Sequence, residues 1–82
     1  MRLPRDLGGI ELAALLRRYG YEVTRQTGSH MRLTSRLKST EHHITVPRHE
    51  SLRVGTLSAI LADVASYLDT SRSELVADLF GR

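Results

Sequence analysis

The amino-acid sequence predicts an α+β fold: a three-stranded antiparallel sheet with helices packed on one face, in the order α-β-β-β-α-α. Three observations predict it. Residues 7–19 and 56–68 carry apolar side chains at helical spacing. Between them, residues 21–46 alternate polar and apolar in three short runs. The connections between those runs are short and turn-rich, which favours antiparallel pairing. Three strands hold together only with a helical layer against their apolar face. That arrangement leaves the other face of the sheet bare.

The first helix spans residues 7–19. On a helical wheel, Leu12, Leu15, Leu16 and Tyr19 fall within an arc of about 100°, with Arg17 and Arg18 outside it. Asp6 is the expected N-cap. Gly20 is the expected left-handed residue that ends the helix. The first strand, residues 21–26, sets Tyr21 and Val23 on one face and Glu22, Thr24 and Gln26 on the other. Thr27-Gly28-Ser29 is a turn by composition. The second strand, residues 30–35, puts Met31 and Leu33 on one face and His30, Arg32 and Thr34 on the opposite one. A polar loop from Arg36 to Glu41 follows. The third strand, residues 42–46, pairs Ile44 with Val46 on one face and His43 with Thr45 on the other.

Pro47 ends that strand, and a loop with Arg48, His49 and Arg53 leads to Gly55-Thr56. The second long helix, residues 56–68, carries Leu57, Ile60, Leu61, Val64, Tyr67 and Leu68 over an arc of about 120°. Ser71 and Glu74 form an S-x-x-E capping box for a final helix, residues 72–80. Leu75, Val76, Leu79 and Phe80 give that helix its apolar side, and Gly81 ends it. With no repeat and no long flexible linker, the expectation is one domain, residues 1–82.

Composition bounds the function. An 82-residue chain removes only about 60–65% of its unfolded surface from water on folding, so its stability is expected to be modest. It has no cysteine, hence no disulfide framework and no thiolate metal site. The first residues have no apolar signal core, and no apolar run approaches the roughly 18 residues of a membrane span. A cytoplasmic protein is expected. The net charge is +3, concentrated in the middle of the chain. Residues 17–53 carry eight basic side chains against Glu22, Glu41 and Glu50, a net +5. A polyanion is a suitable partner for such a segment; a solvated basic surface without a ligand reads equally well from charge alone.

If Met31, Leu33, Ile44 and Val46 face the helices, then His30, Arg32, Thr34, His43 and Thr45 share the open face. His30 follows a tight turn, and histidine is the side chain suited to take and give protons near neutral pH. Gly28 and Ser29 are the turn that presents it, with Gly28 expected at positive φ. Their backbone N–H groups either serve only the turn or cradle a phosphate as well. His42 and His43 are adjacent, so alternation sends them to opposite faces. No acidic residue lies at ligand spacing, and no metal site is expected. His49 either orders its loop or touches a phosphate. The open face has no aromatic platform for base stacking.

Several matches occur in order along the chain. Leu16-Arg17-Arg18-Tyr19-Gly20-Tyr21 leads into Arg25-Gln26-Thr27-Gly28-Ser29-His30. His43-Ile44-Thr45-Val46-Pro47-Arg48-His49 follows, then Gly55-Thr56-Leu57 with Ile60-Leu61. This ordered set resembles the HicA family of small toxins, the mRNA interferases of toxin–antitoxin pairs, over residues 8 to about 75. The resemblance implies a fold similar to a double-stranded-RNA-binding domain and ribosome-independent cleavage of mRNA; with no metal site expected from the residues, a metal-independent cleavage is expected. It makes His30 the catalytic residue. It also implies a HicB-type antitoxin that covers the active face. Many members have lysine or glycine where this chain has Arg53 and Asp69.

With RNA as substrate, His30 would move the proton of a 2′-hydroxyl, or that of the leaving 5′-oxygen. One histidine cannot serve both ends at once. His43, on the same predicted face, is the candidate for the second proton-transfer group. Arg32, Arg36, Lys38, Arg48 and Arg53 are the candidate RNA contacts, sequence-blind and salt-sensitive. The rival readings are a non-catalytic RNA-binding module of the same fold, and a nuclease relic that only binds a partner.

Overall fold

The computed structural model describes residues 3–81; Met1, Arg2 and Arg82 lie outside the described residues. The elements are α1 (Gly9–Leu16), a 3-10 turn (Arg17–Tyr19), β1 (Glu22–Thr27), β2 (His30–Ser35), β3 (His42–Pro47), α2 (Val54–Tyr67) and α3 (Arg72–Phe80). The strands form one antiparallel sheet in the order β1-β2-β3. The α+β order read from the sequence is the order observed. Met31, Leu33, Ile44 and Val46 are buried, together with Leu12 and Leu16 of α1 and Leu57 and Leu61 of α2. The helices therefore cover one face of the sheet. Each fully buried aliphatic side chain contributes on the order of 1.5–3 kcal/mol.

The first helix begins two residues later than its apolar pattern suggests, and Asp6 is not its cap. Gly8 is the N-cap residue, in an extended conformation. Having no side chain, it supplies no capping oxygen. Instead Glu11 reaches back, its Oε1 accepting from the Gly8 N–H at 2.8 Å. The Gly9 N–H donates to the His49 carbonyl at 2.9 Å. A Cβ on Gly9 would stand 1.9 Å from the Pro47 carbonyl oxygen. Only glycine lets the helix start rest so closely on the loop after β3.

The 3-10 turn that extends α1 and the helix α2 end in the same way. Gly20 has φ +82°, its N–H donates to the Arg17 carbonyl, and the Tyr21 N–H donates to the Leu16 carbonyl. At the end of α2, Asp69 has φ +58°. The Asp69 N–H donates to Ser66 and the Thr70 N–H to Ala65. This is the paired 5→2 and 6→1 pattern of a Schellman motif, whose left-handed residue is usually glycine. The departure at Asp69 is thus a non-glycine residue at a glycine-favouring position, a conformation aspartate tolerates better than most. The α3 helix spans the predicted residues. Its capping box is present: Ser71 Oγ accepts from the Glu74 N–H at 3.1 Å, and Glu74 Oε1 accepts from the Ser71 N–H at 3.4 Å.

The first strand departs most from the sequence reading. It runs one residue later than expected, and its alternation breaks. Val23 lies opposite Leu33, but Arg25 lies opposite Arg32, so Thr24 is the extra residue of a β-bulge. Beyond the bulge the faces are exchanged. Arg25 and Thr27, opposite Arg32 and His30, lie on the open face, whereas Gln26 lies opposite Met31. Val23 keeps the helix-facing side with Tyr21 but remains half exposed, at the mouth of a groove between α1 and β1. The third strand extends through Pro47, and α2 begins at Val54, two residues before the predicted start.

Candidate active site

His30 stands at the first position of β2, exposed, on the face that carries no helix. The hairpin before it has two loop residues, Gly28 and Ser29, between the paired residues Thr27 and His30. Gly28 has φ +57° and Ser29 has no positive φ. Those are the signs of a type II′ turn, which takes glycine first. A Cβ on Gly28 would meet nothing within 4 Å, so backbone conformation alone calls for glycine there.

The turn is held from the other side. The Arg48 N–H donates to the Ser29 carbonyl at 2.6 Å, continuing the β2–β3 ladder past Pro47. The same loop is tied to α1 through Gly9–His49 and to the preceding segment through the Leu52 N–H and the Leu7 carbonyl at 2.7 Å. His30 therefore sits on a strand end fixed by three neighbouring backbone segments while its side chain faces solvent.

Arg25, Thr27, His30, Arg32 and Thr45 line a shallow recess of about 220 Å³ on the open face. Arg32 and Thr45 are where the sequence places them. Arg25 and Thr27 are not, and the bulge at Thr24 is the reason. One signal was available: uninterrupted alternation would turn the Arg25 guanidinium toward the helical layer, where a charge needs a partner. A larger recess of about 380 Å³ lies between α1 and β1. It is lined mainly by apolar side chains such as Ile10, Ala13 and Met31, with no histidine in its wall.

His43 shares the face of His30 but not its site. It lies opposite Thr34, whereas His30 lies opposite Pro47. Four residues along the strand separate them, about 13 Å. Both His43 ring nitrogens are engaged, Nδ1 with Thr34 Oγ1 at 2.8 Å and Nε2 with Glu41 Oε1 at 3.2 Å. The geometry thus contradicts His43 as the second proton-transfer group for His30. Thr34, expected on a bare face, is covered by Thr24 and His43 and is only 4% exposed.

The five candidate RNA contacts divide between the two ends of the sheet. Arg32 is two residues along β2 from His30, and Arg48 adjoins the turn. Arg53 is the exposed N-cap residue of α2. Arg36 and Lys38 lie in the β2–β3 loop, past the far end of β2, about 17 Å away along the strand. Arg36 binds Glu41, and its guanidinium holds the Glu41 carboxyl below the usual carboxylate range. Lys38 Nζ lies 3.3 Å from Asp69. Among the described residues, Arg25 and Arg32 form no ion pair.

His42 points the other way, as alternation requires. Its Nδ1 accepts from the Tyr21 hydroxyl at 2.6 Å, its Nε2 donates to Asp63 Oδ1 at 3.1 Å, and its ring stacks on Tyr67 at 4.7 Å. Tyr21 is fully buried, and burial pushes its hydroxyl well above the ordinary tyrosine range. This cluster joins the residue before β1 to β3 and α2 and belongs to the packed side of the sheet. Among the described residues, no group of three or more His, Asp or Glu side chains converges as a metal would need.

A family model described as the HicA toxin of bacterial toxin–antitoxin systems matches residues 9–65. The chain belongs to the HicA toxin family. The match takes in α1, the whole sheet and most of α2, and so includes the hairpin that presents His30. No curated protein and no solved structure matches the chain. As a HicA-family toxin, the protein is one half of a toxin–antitoxin pair, and among the described residues no helix is long and apolar enough to cross a membrane.

Proposed function

We propose that this HicA-family toxin is a ribosome-independent endoribonuclease of mRNA that needs no metal, with His30 as its proton-transfer residue. The observation that carries the reading is the placement of His30: exposed, at a braced strand end, on the uncovered face, beside Arg32. The chemistry that fits is transesterification. His30 takes the proton of an RNA 2′-hydroxyl as O2′ bonds to the adjacent phosphorus. The P–O5′ bond breaks, and the 5′-oxygen leaves with a proton from water. The products are a 2′,3′-cyclic phosphate and a 5′-hydroxyl, and the imidazolium returns its proton to solvent. Arg32 binds the phosphate undergoing attack, and Arg48 binds a neighbouring phosphate.

The test is chemical. An RNA with 2′-deoxyribose at the cleaved position resists the enzyme, and the natural RNA yields cyclic-phosphate ends. Cleavage of the deoxy substrate at the same rate would overturn the mechanism.

The antitoxin is of the HicB type and covers the open face, presenting acidic groups to the basic segment. Co-purification with the product of an adjacent gene, with loss of cleavage in the complex, is the expected result.

A further inference from the structure

The recess around His30 contains one proton-transfer group and two guanidiniums. Arg25 and Arg32 are directly opposed across the β1–β2 pair. Like charges in that position repel and destabilise a sheet. Neither is neutralised by a carboxylate among the described residues. Among the described residues, Arg18, Arg36 and Lys38 have acidic partners and other arginines such as Arg17 and Arg53 do not; what sets Arg25 and Arg32 apart is that they face each other beside His30. The bulge at Thr24 is what turns Arg25 to this face, because without it Arg25 would lie on the helix-facing side.

We infer that Arg25 is a ligand of the substrate phosphate at the His30 site, acting with Arg32 on the same group. This rests on the endoribonuclease reading. The charge count supports it. A phosphodiester carries one negative charge, and the pentacoordinate phosphorane formed when O2′ adds carries two. Two guanidiniums beside one phosphate match the state with the larger charge, and such preorganised donors stabilise the transition state more than the substrate. They also ease departure of the 5′-oxygen where no second titrating side chain lines the recess. A repulsive pair across the edge strand β1 and the central strand β2 is then a cost carried for binding an anion.

The test uses the full chain with a defined RNA in EDTA. Arg25→Ala lowers kcat/KM by about 10²-fold, the scale of losing one positioned donor. Arg25→Lys recovers part of that loss, since charge remains without the bidentate fork. The Arg25→Ala/Arg32→Ala double variant loses less than the product of the two single losses, because both act on one phosphate. The melting temperature of Arg25→Ala is no lower than that of the parent protein, which separates this role from a structural one. Wild-type kcat/KM in Arg25→Ala overturns the inference and leaves the nuclease reading standing.

A second measurement keeps the two apart. In the His30→Ala protein, adding Arg25→Ala weakens binding of the same RNA and reduces the salt slope by less than the roughly 0.7 of a whole phosphate contact, because Arg32 still holds that phosphate. If the parent protein does not cleave but this binding loss appears, the nuclease reading falls and Arg25 remains an RNA-phosphate ligand. Unchanged binding overturns the inference.

Discussion

Tyr21 shows how much a single residue can anchor in a small domain. Its ring is fully buried and its hydroxyl donates to His42, which in turn donates to Asp63. Tyr67 stacks on His42 and donates to the Thr40 carbonyl. Networks of this kind are strong when complete and costly when broken. Tyr21→Phe leaves the His42 Nδ1 acceptor without its donor and is expected to cost about 1–2 kcal/mol. At this chain length that lowers the melting temperature by roughly 4–16 °C, measured by thermal denaturation; an unchanged value would refute the network's role. The opposed directions of His42 and His43 were legible in the sequence, because adjacent strand residues must face opposite ways. The Tyr21–His42–Asp63 link was not, since its members come from segments up to 42 residues apart and nothing local marks them as partners.

Among the elements, α3 and β1 mark the two extremes of legibility. The S-x-x-E signature specifies both ends of a reciprocal hydrogen-bond pair, and α3 starts where it indicates. Hydrogen bonds from the Ser71 backbone, with the Thr70 and Ser71 hydroxyls, hold the Glu74 carboxyl below the usual range. A carboxyl with a depressed folded pKa adds stability above its unfolded pKa and loses it as the pH falls through the folded one. Glu74→Ala is therefore expected to lower the melting temperature at neutral pH, by an amount that shrinks as the solution is acidified. A difference independent of pH would contradict this. In β1, the bulge is formed by Thr24 at the start of a polar run, Thr24 to Thr27, so no apolar residue beyond Val23 reports the change of face. The start of α1 was less legible. The Gly8–Gly9 contact with the loop after β3 is a tertiary feature, and the Asp6 side chain gave a competing local signal.

At the scale of the whole molecule, the positive charge is divided between two ends of the sheet. Arg25 and Arg32 line the recess around His30 and Arg48 adjoins the hairpin turn before it, whereas Arg36 and Lys38 are paired with carboxylates at the far end. If only the His30 end grips RNA, two phosphates, one shared by Arg25 and Arg32 and one held by Arg48, predict a slope of log K against log salt near −1.4 for a single strand. Engagement of Arg36 and Lys38 as well would steepen it to about −2.8, and titration of RNA binding across salt concentrations distinguishes the two. The fold order and the exposure of His30 were readable because they depend on periodicity alone. The composition of the site was not, because it depends on the bulge and on strand register. The account as a whole turns on His30. Purified toxin and its His30→Ala variant should be incubated with a long RNA in EDTA. The account predicts cleavage by the parent protein and none by the variant, with RNA binding retained by both. Equal cleavage by the two, no cleavage by either, or loss of cleavage caused by EDTA would contradict it.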